Sequence, residues 1–238
     1  MTTSFTRRAS RPAMWSTLVD GIGALGAGEL IILAHNARFV LVGCAGTATT
    51  EQLAFLIRHS TGFVQVALHE RACDRLLLPE ATPSSRDLNA TGHGQCVTVD
   101  ARRDVATGIS GADRARTARV LADPASTPDD LSRPGHLVPV RVNPSAFQGH
   151  HTPAALALAL TDAARPEYSG ALFADIEGIG DPTNLADAVD AELIATRHGL
   201  TLVAPENPDP SLVGSGRASP IVSIHARAGG RTLGDSTR

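Results

Sequence analysis

The chain has 238 residues, 42% of them hydrophobic, and a formal net charge of -3. This length fits one domain, or one domain plus a tail, and the charge gives no electrostatic footprint for nucleic acid. All 21 basic residues are arginine, which excludes catalysis through a lysine imine.

The first half of the chain alternates helices and strands. A helix with terminal glycines is predicted for "WSTLVDGIGALGAGE", and two apolar strands around a polar turn at His35 and Asn36 for "LIILAHNARFVLVGCA". A threonine-capped helix follows in "TTEQLAFLIRHSTG", then a buried strand in "FVQVAL" and a short helix in "HERACDRLLLP". A polar loop, "ATPSSRDLNATGHG", leads to a strand in "QCVTVDA".

The second half continues the mixture. A helix is predicted near residues 111–122, and "STPDDLSRPGHLVPVRV" reads as a loop that leads into a strand. The last elements are a helix in "TPAALALALTDAA", a strand in "SGALFADI", a helix in "NLADAVDAELIATRHG" and a strand in "LTLVA". This pattern indicates an α+β or α/β protein.

Composition divides the chain into three parts. We expect a flexible N-terminus at 1–13, a globular domain at 14–205 and a flexible tail rich in Pro, Gly and Ser at 206–238. The tail contains one short apolar segment, "PIVSIH", that could dock on a surface.

No apolar run approaches the roughly 20 residues of a membrane span, and the N-terminus lacks the apolar middle of a signal peptide. We therefore expect a cytoplasmic protein with no membrane partner. Three cysteines, Cys44, Cys73 and Cys96, have no ligand-like spacing. Each is expected to be a small buried apolar residue rather than part of a disulfide or a zinc site.

The segment "TGISGADR", residues 107–114, concentrates hydrogen-bonding side chains between two glycines. Asp113 could cap the following helix by satisfying free N–H groups of its first turn. Alternatively, the glycine-rich turn could present N–H groups and hydroxyls to an anionic ligand. The two roles are compatible.

Five collinear segments share an order with one enzyme family. They are "FLIRHSTGFV", "ERACDRLLLP", "TGISGADR", "RPGHLVP" and "GHHT". Together they resemble 3,4-dihydroxy-2-butanone 4-phosphate synthase, which acts on ribulose 5-phosphate, from about Trp15 to about Val203. The resemblance implies an α+β fold, with a mixed sheet flanked by helices, and a homodimer whose active sites lie near the subunit interface.

The acidic motif of that family, DDEDRENEGD, aligns without a gap with "AHNARFVLVG" at 34–43. Arg38 matches, but Phe39 stands where the family has its Mg²⁺-binding glutamate and Gly43 where it has an aspartate that touches substrate. His151 matches the metal histidine of the family. Because Mg²⁺ requires oxygen ligands, we expect neither a metal site nor another cofactor.

Other site positions are partly kept. The resemblance places Gln148 where the family has a phosphate-clamping arginine, and Ala174 where it has a catalytic glutamate. Gln65 takes the place of a site cysteine. The adjacent Asp175 should point to the opposite face of its strand from residue 174, which makes it a doubtful substitute for the glutamate. His136 matches an essential histidine.

The resulting hypothesis is a divergent, Mg²⁺-independent enzyme with histidine acid/base chemistry. It would carry out a proton transfer, cyclisation, dehydration or isomerisation on a small, non-phosphorylated intermediate, with specialised metabolism as a candidate setting. The alternatives are a non-catalytic binding or regulatory paralogue and an authentic synthase of riboflavin biosynthesis. His136 and His151 are the predicted catalytic residues. The predicted substrate-binding residues are Arg38, Phe39, Thr107, Ser110, Asp113, Arg114, Arg133, Gln148 and Thr152.

Overall fold

The structure, a computed structural model, describes residues 15–81, 93–143 and 152–204. The strands in these ranges are β1 Trp15–Ser16, β2 Ile31–His35, β3 Arg38–Cys44, β4 Gln65–His69, β5 His93–Gln95, β6 Val99–Ala101, β7 Leu131–Val142, β8 Ala171–Asp175 and β9 Thr201–Val203. The helices are α1 Leu18–Gly26, α2 Thr50–His59, α3 Glu70–Arg75, α4 Gly111–Ala122, α5 Pro153–Ala164 and α6 Ala188–His198.

The described strands form one mixed sheet. Its order is β1-β9-β2-β3-β8-β4-β7-β5, and β6 pairs with β7 beside this path. Strands β3 and β4 are both antiparallel to β8, which lies between them, and β7 runs parallel to β4. The predicted α+β fold, with a mixed sheet flanked by helices, is confirmed.

Capping side chains set the helix starts. Thr17, Thr49, Ser110, Thr152 and Asp187 each accept a hydrogen bond from the backbone N–H three residues later. Such residues satisfy N–H groups that have no partner within the helix. Their positions account for the well-predicted helices in the sequence.

Helices cover both faces of the sheet. Buried residues of α2, α4 and α6 share one hydrophobic core with Phe39 and Leu41 of β3. Buried residues of α1 and α5 share the other with Val40 and Val42. We call these the α4 face and the α5 face. Alternate side chains of a strand point to opposite faces, so β3 contributes to both cores.

The sequence prediction was wrong at several boundaries. Trp15 and Ser16 form strand β1 beside β9 instead of opening the first helix, because the cap is at Thr17. The segment "QCVTVDA" is divided between β5 and β6. Strand β7 starts at Leu131, so "RPGH" is part of a strand that was predicted as a loop.

Cys44, Cys73 and Cys96 are buried and free, as predicted. Among the described helices, none has the length and apolar character to cross a membrane. The predicted N-terminal segment 1–13 and tail 206–238 lie outside the described residues.

Candidate active site

One end of the sheet brings the predicted site residue Arg38 close to Asp175 and Gln65, which the resemblance places at or beside site positions. Strand β3 begins there with Arg38, β8 ends there with Asp175, and β4 begins there with Gln65. These three strands are neighbours in the order β3-β8-β4. Arg38 and Gln65 therefore lie at the same end of the sheet.

Arg38 and Asp175 form a bidentate ion pair. The Nη2 atom of Arg38 lies 2.6 Å from both carboxylate oxygens of Asp175, and Nε lies 3.0 Å from Oδ1. The Asp175 side chain is 15% exposed and that of Arg38 is 49% exposed. Fork-shaped pairing of this kind is among the stronger and more directional charge contacts in proteins.

Ala174 and Asp175 point to opposite faces of β8, as strand alternation predicts. Ala174 is completely buried in the core of the α4 face. Asp175 is on the opposite side of β8 and pairs with Arg38, which alternates with Val40 and Val42 on β3. The carboxylate that reaches the α5 face at this sheet end is therefore the residue that sequence reasoning considered doubtful.

Phe39 does not join this group. Its side chain is 3% exposed in the core of the α4 face, and its ring centroid lies 6.3 Å from that of Trp15. The structure thus places this predicted substrate-binding residue away from Arg38, because neighbouring residues of a strand face opposite sides.

The described residues do not fit the Mg²⁺ site that the resemblance implies. The position assigned to the metal glutamate is Phe39, a core residue, and both oxygens of Asp175 are engaged by Arg38. Within the described ranges, no group of three or more His, Cys, Asp or Glu side chains could hold a metal ion. His151, the other implied ligand, lies outside these ranges.

The start of α5 approaches the same sheet end. Thr152 caps this helix by accepting a hydrogen bond from the N–H of Ala155 at 3.2 Å. Near the other end of α5, Asp162 contacts His69, the last residue of β4, at 2.6 Å. Since β4 begins at the candidate site, the N-terminus of α5 points toward it. The predicted site residues Gln148 and His151 precede Thr152 and lie outside the described residues.

An apolar cleft of about 430 Å³ lies beside Gln65. Its walls include Phe63, Pro134 and Val138, and Gln95 lines it while donating a hydrogen bond from Nε2 to Oε1 of Gln65 at 3.3 Å. The size falls within the range of small-molecule sites, and the amide of Gln95 could orient a ligand.

His136 forms a pair with Asp100. Its Nδ1 atom lies 2.8 Å from Oδ2 of Asp100, and its backbone N–H donates to Oδ1 at 3.0 Å. The imidazole is 42% exposed, whereas the Asp100 side chain is 11% exposed. Two hydrogen bonds to one buried carboxylate fix both the backbone and the ring of His136.

Two glycines permit this pair. A Cβ atom on Gly108, whose φ is +82°, would lie 2.1 Å from Oδ2 of Asp100 and 2.6 Å from Nδ1 of His136. A Cβ atom on Gly135 would lie 2.0 Å from the carbonyl carbon of Val99. Only glycine at these positions allows such close approach without displacement of the neighbours.

The segment 107–114 holds the loop that packs on His136. Ser110 is the helix cap, whereas the Asp113 carboxylate accepts hydrogen bonds from the N–H groups of Ala106 at 3.2 Å and Gly108 at 3.0 Å. These hydrogen bonds lower the pKa of Asp113, and the one from Ala106 has the largest effect. Asp113 is therefore engaged inside the loop, while Thr107 and Ser110 are exposed beside it.

Arg114 and Arg133 tie neighbouring segments together. Arg114 donates from Nε to the carbonyl of Ile109 at 3.0 Å, and burial lowers the pKa of its guanidinium. Arg133 donates from Nη2 to the carbonyl of Leu76 at 2.6 Å. Both retain further donors, so their predicted substrate-binding roles remain predictions.

Sequence reasoning missed Asp100 and Gln95. Asp100 lies 36 residues before His136 and comes next to it only through the pairing of β6 with β7. Gln95 reaches Gln65 through β5, which pairs with β7 beside β4. No local pattern around either residue marks these contacts.

Residues 20–207 match the family of 3,4-dihydroxy-2-butanone 4-phosphate synthase. Riboflavin biosynthesis protein RibBA of Salinispora tropica is 37% identical over 195 residues, which cover 79% of this chain and 47% of that protein. RibBA of Mycobacterium tuberculosis is 39% identical over 165 residues, which cover 68% of this chain and 38% of that protein. The chain thus spans less than half the length of these relatives.

Solved structures agree with this match. The 3,4-dihydroxy-2-butanone 4-phosphate synthase of Candida albicans has a TM-score of 0.70 at 26% identity, covering 80% of this chain and 94% of that one. A synthase in complex with two magnesium ions has a TM-score of 0.68 at 28% identity, covering 81% and 94%. The shared sequence and fold show that the chain belongs to the 3,4-dihydroxy-2-butanone 4-phosphate synthase family.

Proposed function

We propose that this chain is an enzyme that transfers protons on a small polyhydroxylated carbonyl compound, the class to which ribulose 5-phosphate belongs. The observation that carries the proposal is the His136–Asp100 pair. A partly exposed imidazole bonded at Nδ1 to a buried carboxylate has the arrangement of a general acid or base. Among the described residues, Nε2 of His136 has no hydrogen-bond partner, and we assign this atom the contact with the substrate.

The pair supports a specific proton path. With its proton on Nδ1 directed at Asp100, His136 presents the unprotonated Nε2 as a base. Removal of a proton beside a carbonyl group leaves the bonding electrons on the carbonyl oxygen as an enediolate. Asp100 stabilises the imidazolium that forms. Delivery of its proton to the former carbonyl carbon, with transfer of the hydroxyl proton to the enolate oxygen, completes an isomerisation. Delivery of its proton to a β-hydroxyl group, which leaves as water, completes a dehydration.

This chemistry requires none of the missing carboxylates. Phe39 and Ala174 occupy two of the positions that the resemblance assigns to acidic residues, and both lie in a hydrophobic core. The reaction is therefore proposed to be independent of Mg²⁺. Gln148 in place of the phosphate-clamping arginine favours a substrate without a phosphate group, a prediction that concerns a residue outside the described ranges.

The second candidate is the family reaction, in which ribulose 5-phosphate yields a four-carbon phosphate and formate. It is favoured by the similarity to RibBA proteins and by the carboxylate of Asp175 beside Arg38. This reaction would require Mg²⁺ ligands at positions other than those of the family motif, and for this reason we rank it second.

The two candidates differ in formate release. The purified chain would be incubated in heavy water with ribulose or ribulose 5-phosphate, with Mg²⁺ or with a chelator. Chelator-insensitive exchange of carbon-bound protons, followed by NMR, without formate is expected. Formate that rises with Mg²⁺ and disappears with chelator would establish the family reaction instead. Neither exchange nor formate would contradict the proposed substrate class and favour the non-catalytic alternative.

Variants test the assigned residues. Loss of a positioned acid or base typically lowers the rate by about 100-fold to 10,000-fold. His136→Ala and Asp100→Asn should each lose at least about 100-fold while remaining folded. His151→Ala is predicted to lose activity as well. His198→Ala is the control, because His198 packs against His59 on the helices α6 and α2. Near-normal turnover in the His136 and His151 variants would rule out acid/base catalysis by these histidines.

A further inference from the structure

A second cavity lies at the end of the sheet opposite the candidate active site. Its volume is about 370 Å³, and its walls include Gly46 and Tyr168. Gly46 lies two residues after the end of β3, and Tyr168 lies three residues before the start of β8. The length of these strands separates the cavity from the Arg38–Asp175 pair, whereas Ala101, which also lines it, directly follows Asp100 in β6.

Three arginines line the cavity: Arg103, Arg116 and Arg119. Arg119 donates to the carbonyl of Ala48, which holds its side chain against the β3–α2 connection. Within the described residues, Arg103 makes no hydrogen bond or ion pair, and Nε of Arg116 is buried without a partner. Several guanidinium donors around one cavity are therefore available to an anion.

The acidic residues near the cavity are engaged by protein donors. Asp130 accepts hydrogen bonds from the N–H and the hydroxyl of Thr127 at 2.8 and 2.9 Å, and these bonds lower its pKa. Asp123 accepts one from the N–H of Ala125 at 2.8 Å. Arg116 pairs with Asp104 at 3.3 Å, but Asp104 is 77% exposed, and such surface pairs are weak. Asp123 and Asp130 also line the cavity, and the positive charges of Arg103 and Arg116 act on Asp130, so an entering anion would share these arginines with a carboxylate.

An aromatic ring, that of Tyr168, forms another part of the wall. A Cβ atom on Gly46 would lie 2.3 Å from Cγ of Tyr168, so glycine is what allows the tyrosine ring to pack there. Aromatic rings provide flat surfaces for sugars or bases.

We propose that this cavity is a binding site for a small phosphate monoester, with the phosphate on Arg103 and Arg116 and the remainder against Tyr168. Guanidinium groups match the geometry of phosphate oxygens, and the cavity volume lies within the range of small-molecule sites. A sugar phosphate and a nucleoside monophosphate share this chemistry, and the test separates them. The site is independent of the proposed reaction at His136.

Titration calorimetry of the full chain with inorganic phosphate, ribose 5-phosphate and AMP tests the proposal. Binding of at least one monoester is expected, with Arg103→Gln and Arg116→Gln each weakening it by about tenfold through loss of a charged hydrogen bond. Arg71→Gln removes the same charge from an exposed position on α3 and should change nothing. Tyr168→Leu should weaken AMP more than phosphate if the ligand is a nucleotide, and weaken ribose 5-phosphate if it is a sugar phosphate.

Two results would overturn the proposal. One is binding weaker than about 1 mM for all three probes by a chain that melts cooperatively. The other is binding that survives in both Arg103→Gln and Arg116→Gln but disappears in His136→Ala, which would assign it to the candidate active site. Since Arg103 is exposed, its variant should fold even if Arg116→Gln does not.

Discussion

Replacement of Gly135 by alanine would test whether close contact between β6 and β7 holds His136 in place. The new Cβ atom would lie 2.0 Å from the carbonyl carbon of Val99 and 2.2 Å from the nitrogen of Asp100. Both are backbone atoms, so no side-chain rotation can relieve the contact. The strands must separate, which also disturbs the hydrogen bond from the N–H of Gly135 to Oγ1 of Thr98, now 3.2 Å long.

The expected cost follows from two contributions. Overpacking in a tightly packed region costs about 1–3 kcal/mol, and contact with backbone places this case at the upper end. Loss of one internal hydrogen bond adds about 1 kcal/mol. A total of about 3–4 kcal/mol corresponds to a fall in melting temperature of about 6–16 °C for a domain of this size.

Gly23→Ala provides a matched control. Gly23 lies in α1, and a Cβ atom there would have nothing within 4 Å outside its own helix. The same substitution should then stabilise the protein by up to about 1 kcal/mol through helix propensity. Thermal melts followed by circular dichroism measure both changes. If Gly135→Ala has the same melting temperature as the parent protein, the packing argument is refuted, and so is the view that β6 fixes the position of His136.

Three further predictions concern pH, assembly and the tail. His59 and His198 have ring centroids 4.6 Å apart, and burial is the largest cause that lowers the pKa of each imidazole. Because each folded-state pKa is below the unfolded value of about 6.5, stability should be lost as pH falls through and below that value. His198→Gln should reduce this loss in thermal melts. Light scattering should give a homodimer, since Phe63 and Ile109 near the candidate site are 49% and 56% exposed, and a monomer at micromolar concentration would contradict this. Removal of residues 206–238 should leave the melting temperature unchanged, because β9 already pairs with β1 and β2; a fall of several degrees would mean that the tail docks.

Much of the fold could be predicted because its signals are local. Thr49 and Ser110 begin helices through hydrogen bonds only three residues long, and the apolar strands β3 and β8 form continuous runs. The failures occurred where distant pairing decides. Trp15 and Ser16 are extended because β9, almost two hundred residues later, lies beside them. No periodicity in the first segment contains this information.

The segment 107–114 illustrates the same division at the candidate site. The sequence predicted a helix start there, but it did not show whether Ser110 or Asp113 is the capping residue. Ser110 caps the helix, and Asp113 instead binds N–H groups of Ala106 and Gly108, which precede it by seven and five residues. That arrangement depends on the loop turning back over Asp100 and His136. The sequence cannot show this contact, because Asp100 and His136 come together only through the pairing of β6 with β7.

The contrast between Ala174 and Asp175 carries the main consequence for the chemistry. Strand alternation correctly predicts that they face opposite sides, and the carboxylate of Asp175 lies on the α5 face. Pairing of Val40 with Asp175 places the carboxylate beside Arg38. Both of its oxygens then accept from one guanidinium, so metal binding by Asp175 would require Arg38 to release it, at the cost of a partly buried bidentate pair. A reaction that leaves this pair intact and uses His136 and Asp100 avoids that cost, which is the physical reason to place metal-independent proton transfer before the family reaction.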